Sequence, residues 1–328
     1  MGGRAVIVDA ALADLTERDG VSTLHLSKAG GIGQFGAYVE TLAPGAWSSD
    51  RHWHSAEDEF LYVLEGLGSL HDDAGMHNLQ AGDAICWRHG ASNGHRVGNR
   101  SDAPLRYLIA GSRVQGDVCT YPDSGRKQIN TATEWRVEDA DGVRLRGGDL
   151  PAELLGLPPV WGQPFDGSAR PNLLPAESRV WQHAQAYVHP VLGGGLGDYW
   201  HSILGDVGGL SQIGAHLERL PSGAKSSFRH WHEAEDELIF VLSGQPTLIE
   251  DTETELTPGQ MICWPAGVAI GHQLENRSEA DAVYLVLGTR LPRDTIHYPD
   301  HDLITHKDGA ARHYTDAAGR PRNAGARA

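Results

Sequence analysis

Apolar residues in this chain fall in short compact runs, not in long stripes of helical period. Phe60–Leu64 and Leu238–Leu242 are the clearest, and each ends in a glycine turn. Asp83–Trp87, Gln260–Trp264, Tyr107–Ala110 and Tyr284–Leu287 are of the same kind. Runs of this length, punctuated by Gly, Asn and Asp, predict β-strands joined by tight turns. The 41 glycines and 17 prolines push the same way. The expected fold class is all-β, a sandwich or jelly-roll barrel. One stretch stands apart: ALADLTERDG, in a leader of residues 1–23, predicts a helical turn or two.

The pattern occurs twice. Gly31 answers Gly209, Gly45 answers Gly223 and His52 answers His230, each 178 positions on. After one deletion the offset is 177, for Gly82 with Gly259, His95 with His272 and Asn99 with Asn276. It still holds at Tyr121-Pro122-Asp123 against Tyr298-Pro299-Asp300. A register kept that long with one gap marks a tandem duplication. The expected domains are residues 24–137 and 199–314, with a connection over 138–198 and a frayed tail over 315–328. Pro158 and Pro159 deny the connection a long helix. Its Leu154, Leu157, Trp161, Phe165 and Trp181 predict an ordered segment laid across one or both units, with a strand starting near Gln185.

Each unit carries a possible ligand cluster. Arg51–Gly66 reads RHWHSAEDEFLYVLEG and Arg229–Gly244 reads RHWHEAEDELIFVLSG. On a strand, side chains two apart share a face, so His52 and His54 point together, as do His230 and His232. Glu59 and Glu237 lie an odd five residues further on, so the intervening acidic segment must bend to bring them back into phase. His95 and His272 follow downstream. Three imidazoles and one carboxylate suit a divalent Fe, Mn, Zn, Ni or Cu ion. An octahedral ion would keep two positions open.

These spacings resemble the two motifs of the cupin superfamily. The first reads Gly45…His52-Trp53-His54-x4-Glu59-x6-Gly66, and Gly223…His230-Trp231-His232-x4-Glu237-x6-Gly244. The second reads Gly259-x5-Pro265-Ala266-Gly267-x4-His272-x3-Asn276, and Gly82-x5-Arg88-His89-Gly90-x4-His95-x3-Asn99. Both units have one extra residue before the HxH and two before the last histidine, and Arg88 replaces the motif's proline, which puts that turn in question. The resemblance implies a bicupin, two tandem barrels with one metal ion each. It implies His52, His54, Glu59 and His95 as one ligand set, and His230, His232, Glu237 and His272 as the other.

Neighbouring residues receive plainer readings. Glu57, Asp58, Glu235 and Asp236 read as a solvated acidic turn, the sharper alternative being that Asp58 or Asp236 orients a ligand imidazole. Arg51 and Arg229 are expected to pair with those acids, the alternative being contact with an anionic substrate; Tyr62 and Phe240 are expected to pack, and Cys86 and Cys263 to be buried thiols. His71, His77, His89 and His216 lack partners at ligand spacing. The Tyr-Pro-Asp triplets read as turns ending a strand.

A formal charge of −16 argues against nucleic acid and anionic membranes as partners. Three cysteines make no disulfide scaffold, and neither a signal peptide nor a run of about 20 apolar residues is evident, so a cytoplasmic location is expected. The two-unit format resembles ring-cleaving bicupins such as gentisate and quercetin dioxygenases. That resemblance implies an Fe(II) dioxygenase acting on a small aromatic or dicarbonyl or enolic substrate. A non-redox Mn or Zn lyase, isomerase or decarboxylase is the alternative, and a non-enzymatic binding protein the third reading. Self-association as a homodimer is the expected assembly.

Overall fold

The computed structural model describes residues 6–8, 13–168, 170, 172–184 and 188–323. Each repeat builds one seven-stranded antiparallel sheet with smaller sheets closing a jelly-roll barrel. In the first unit the order is Leu173–Leu174, Ala84–Trp87, Glu59–Glu65, Leu105–Ser112, Phe35–Leu42, Val21–His25 and Leu15–Arg18. In the second it is Val6–Val8, Met261–Trp264, Glu237–Ser243, Ala282–Thr289, Ile213–Leu220, Tyr199–Ile203 and Gln182–Ala184. All six strands expected from the apolar runs are present. No helix among the described residues is long and apolar enough to cross a membrane.

The compactness of those runs has a physical cause. Along Glu59–Glu65, Leu61 and Val63 face the barrel interior with Ile85, Trp87 and Tyr107. Phe60 and Tyr62 face the other way, into a core shared with Leu238, Phe240, Cys263 and Leu287 of the second unit. The two main sheets pack face to face, so their central strands are buried on both sides and cannot alternate apolar with polar. Tyr62 and Phe240 pack as expected, and Cys86 and Cys263 are fully buried in this shared core.

The units are also interlocked. Val6–Val8 pairs with Met261–Cys263 of the second unit, while Leu173–Leu174, in the connection, pairs with Ala84–Ile85 of the first. The connection is ordered where described, and touches both units. Trp161 Nε1 donates to Gln212 O, and Arg88 donates to Gln163 O and Pro164 O. Arg88 leaves the motif turn unchanged: Gly90 and Gly267 have the same φ of 78°.

The leader corrects the sequence reading. Leu15–Arg18 is a strand paired with Val21–His25, joined through Asp19 and Gly20 at φ of 51° and 81°. An Asp-Gly pair with both φ positive is a two-residue hairpin turn, and it overrides the weak helical pattern. Residues 9–12 of the leader, and the strand start expected at Gln185, lie outside the described residues. The described strand Gln182–Ala184 pairs with Tyr199–Ile203.

Candidate metal centres

Both clusters sit at the corner where the chain passes from one sheet to another. Trp53–His54 pairs with Cys119 and Thr120 in a small sheet, and Glu59 opens a strand of the large one. Residues 55–58 make the bend that the strand phase requires. A backbone bridge sets the first and last histidines side by side: His52 N donates to His95 O at 3.1 Å and His95 N to His52 O at 2.9 Å. His230 and His272 repeat it at 3.2 and 3.0 Å.

All eight residues expected at the sites converge in two groups of four. In the first, Glu59 Oε2 is 2.9 Å from His95 Nε2, and Glu59 Oε1 is 4.0 and 3.9 Å from Nε2 of His52 and His54. In the second, Glu237 Oε2 is 3.1 Å from His272 Nε2 and 3.8 Å from His232 Nε2. Donors held at right angles about 2.1 Å from one ion stand about 3 Å apart, the separation of Glu59 from His95 and of Glu237 from His272. The ligand atoms of His52, Glu59 and His95, and of His230, His232 and Glu237, lie within 4.8 Å of one another.

The other ring nitrogens are all occupied. Nδ1 of His52 donates to Asp50 O at 3.0 Å, His54 to Asp117 Oδ2 at 2.7 Å and His95 to Asn93 O at 3.0 Å. Nδ1 of His230, His232 and His272 donates to Phe228 O, Asp294 Oδ2 and Ile270 O. With Nδ1 fixed as donor, Nε2 faces the centre as the lone-pair nitrogen, the tautomer a metal requires. Trp87 stacks on His95 at 4.0 Å and Trp264 on His272 at 3.9 Å, fixing those ring planes.

Charge reinforces the geometry. Burial, aided by the neighbouring imidazoles, lowers His52 to about 4 and His230 to about 3, so both rings are neutral at physiological pH. Burial alone would raise Glu59, but His54 and His95 outweigh it and hold the carboxyl below its ordinary range; Glu237 is held down likewise by His272. His54 and His232 are raised against burial, His54 by Glu59 and Asp117 and His232 by Asp294 and Glu237.

The acidic segment corrects the sequence reading twice. It is no solvated turn: Asp58 and Asp236 are buried, and neither touches a ligand imidazole. Asp58 accepts from His89 N and Nδ1 at 2.8 and 2.7 Å, and from Ser211 N and Gln212 N of the other unit at 2.6 and 2.7 Å. Asp236 accepts from Gly33 N and Gln34 N, both at 2.8 Å. The pair are reciprocal clamps between units. The imidazole-orienting role belongs to Asp117 and Asp294, which the sequence reading missed although they stand at the 177 offset. Arg51 likewise pairs with Asp123 at 2.9 Å and Asp73 at 3.3 Å, and Arg229 with Asp251 and Asp300, not with the adjacent acids. The Tyr-Pro-Asp triplets therefore have a role: their acid anchors that arginine, and Tyr121 and Tyr298 lie 6.0 and 5.9 Å from the first histidine ring of each site.

The centres differ in what surrounds them. A cavity of about 370 Å³ opens on the first and includes Tyr38, Glu57, Arg113, Asn130 and Leu154 of the connection. The second opens on about 180 Å³. Glu57 accepts from Val114 N, and burial pushes its carboxyl up to about 8 against the pull of His54. Its counterpart Glu235 pairs with Lys307 at 2.5 Å. Cys119, beside His52 and His54, has Ile296 as its counterpart.

The family model for the cupin domain matches residues 38–111 and again 216–288, one match over the core of each barrel. The chain belongs to the cupin superfamily. It is a bicupin, as the paired motifs implied. Among solved structures it is similar to a cupin-superfamily sugar phosphate isomerase from Silicibacter pomeroyi DSS-3, at 38% identity over 46% of this chain and 96% of that one, with a TM-score of 0.43. It is similar over both units to oxalate decarboxylase of Lactobacillus farciminis in a formate complex, at 15% identity, 90% and 88% coverage and a TM-score of 0.53. Oxalate decarboxylase of Bacillus subtilis gives 14%, 92% and 80%, and 0.51. At such identities the likeness to the decarboxylases concerns the fold. No curated protein matches the chain.

Proposed function

We propose that this bicupin is an enzyme holding one divalent metal ion in each unit, and that it acts on a small oxygen-rich substrate at the first. The observation that carries this is the convergence of three Nε2 atoms and a carboxylate whose Nδ1 partners are all satisfied. His52, His54, Glu59 and His95 would hold the first ion, and His230, His232, Glu237 and His272 the second. When bound, such an ion supplies Lewis-acid polarisation of a chelated oxygen. The protein's part is to keep Glu59 ionised and His52 neutral, to orient His54 through Asp117, and to place Glu57 where a proton can be given or taken.

The character of the cavity supports a non-redox lyase or isomerase over the ring-cleaving dioxygenase to which the two-unit format pointed. Beside the cluster its lining carries Tyr38, Glu40, Glu57, Ser112, Arg113 and Asn130, groups able to hold an oxygen-rich substrate and exchange protons with it. The dioxygenase remains the second reading, favoured by a four-donor set that would leave positions open on an octahedral ion. Anaerobic incubation of Mn- and Zn-loaded protein with 2-oxo acids and hydroxyketones separates the two. Turnover without oxygen is expected; oxygen uptake by Fe-loaded protein with phenols, enols or diketones, and no anaerobic turnover, would favour the dioxygenase.

A further inference from the structure

The duplication supplies an internal control, because each feature of one site can be compared with its copy. Next to the carboxylate the two barrels agree. Glu59 lies across from Gly111 and Gly111 across from Gly36, as Glu237 does with Gly288 and Gly214. A Cβ at Gly36 would stand 2.8 Å from the Tyr38 hydroxyl oxygen, so that glycine leaves the tyrosine its place. Differences gather at the far wall. Tyr38 replaces His216, and Asn130 stands where Lys307 pairs with Glu235.

The decisive difference is the partner of one arginine. Arg290 of the second unit pairs with Asp206. The copy of that arginine is Arg113, the position corresponding to Asp206 is Lys28, and Lys28 pairs with Asp14 at 2.8 Å. Arg113 instead donates from Nη2 to the Tyr38 hydroxyl at 3.2 Å and has no carboxylate at ion-pair distance among the described residues. Both side chains line the cavity. The carboxyls that share it are occupied: Glu40 accepts from Tyr107 and Thr23, and Glu57 from Val114 N. Tyr38 sits two strands from the Glu59 strand, about 10 Å at the usual spacing. A guanidinium with no carboxylate partner, beside a hydroxyl, is an anion receptor.

We infer that the first-unit cavity takes a two-ended substrate, with chelating oxygens at the His52–His54–Glu59–His95 cluster and a terminal carboxylate or phosphate at Arg113 and Tyr38. The inference rests on the metal-centre reading above. Arg113 is then a specificity-determining residue with no working equivalent in the second unit.

Cobalt(II)-loaded protein tests it through the visible spectrum of the ion. The probes are 2-oxoglutarate against 2-oxopentanoate, and dihydroxyacetone phosphate against dihydroxyacetone. Within each pair the chelating end is the same and only the terminal anion differs. For wild type, at least one pair is expected to show tenfold or tighter binding of the member with the terminal anion, the pair identifying carboxylate or phosphate as the terminus. Arg113→Met is expected to abolish that preference while leaving the cobalt spectrum and the affinity of the probe without the terminal anion unchanged; Arg113→Lys should restore part of it and Arg290→Met should keep it all. No preference in either pair, or a preference that survives in Arg113→Met, overturns the inference while the metal centre stands. A wild-type protein that gives no cobalt spectrum overturns the metal-centre reading, and this inference with it.

Discussion

Asp117 and Asp294 do what no residue inside the motifs does. Each accepts the Nδ1 proton of a central imidazole, at 2.7 and 2.6 Å, and each also accepts a backbone N–H of the bend, from Ala56 and Ala234. One carboxylate thus sets both the tautomer of the ligand and the corner that returns Glu59 into phase. Asp117→Asn keeps the shape but weakens the acceptor, and is expected to lower metal affinity at the first site by about 10- to 100-fold. Competition against a fluorescent chelator measures this; an unchanged affinity would show that Asp117 serves the bend alone. Protons give a second test at this scale. At neutral pH His52, at about 4, and Glu59, lower still, carry no competing proton. His54 and His232 are raised above the ordinary 6.5 by their carboxylate neighbours, so protons compete with a metal ion first at these two rings as pH falls. Metal affinity is therefore expected to weaken on acidification. Chelator competition repeated across pH reads this directly, and a pH-independent affinity would contradict it.

Among the elements, the bend was legible and its purpose was not. Strand parity alone required residues 55–58 to turn, and the chain turns there. What parity does not reveal is that Asp58 lies at 0% exposure with four N–H donors on one carboxylate. Its partners Ser211 and Gln212 are more than 150 positions away, a separation no local pattern encodes. Asp58→Ala would strand those donors and is expected to destabilise the chain by about 3–5 kcal/mol, as breaking a buried charged network does. Chemical denaturation checks this, with Asp308→Ala, which removes an exposed ion pair with Arg293, as a comparison expected to change little. The Leu15–Arg18 hairpin fails for a different reason: the Asp19-Gly20 turn was present in the sequence but was outweighed by an apparent helical period.

For the whole molecule, the duplication made the architecture readable. A repeat in register predicts two similar barrels, and compact apolar runs predict strands; both are found. The face-to-face packing through Phe60, Tyr62, Leu238 and Phe240, and the exchange of Val6–Val8 and Leu173–Leu174, depend on which unit covers which, and a repeat carries no such information. The near identity of the ligand sets also hid how far the two surroundings diverge at Tyr38, Arg113 and Asn130. Two fitted ligand sets in one interlocked body remain the centre of the account. Elemental analysis of protein loaded with a divalent metal and freed of excess tests that claim most directly. The account predicts two equivalents per chain, falling to one in His54→Ala and to one in His232→Ala; two equivalents kept by either variant, or none in the wild type, would contradict it.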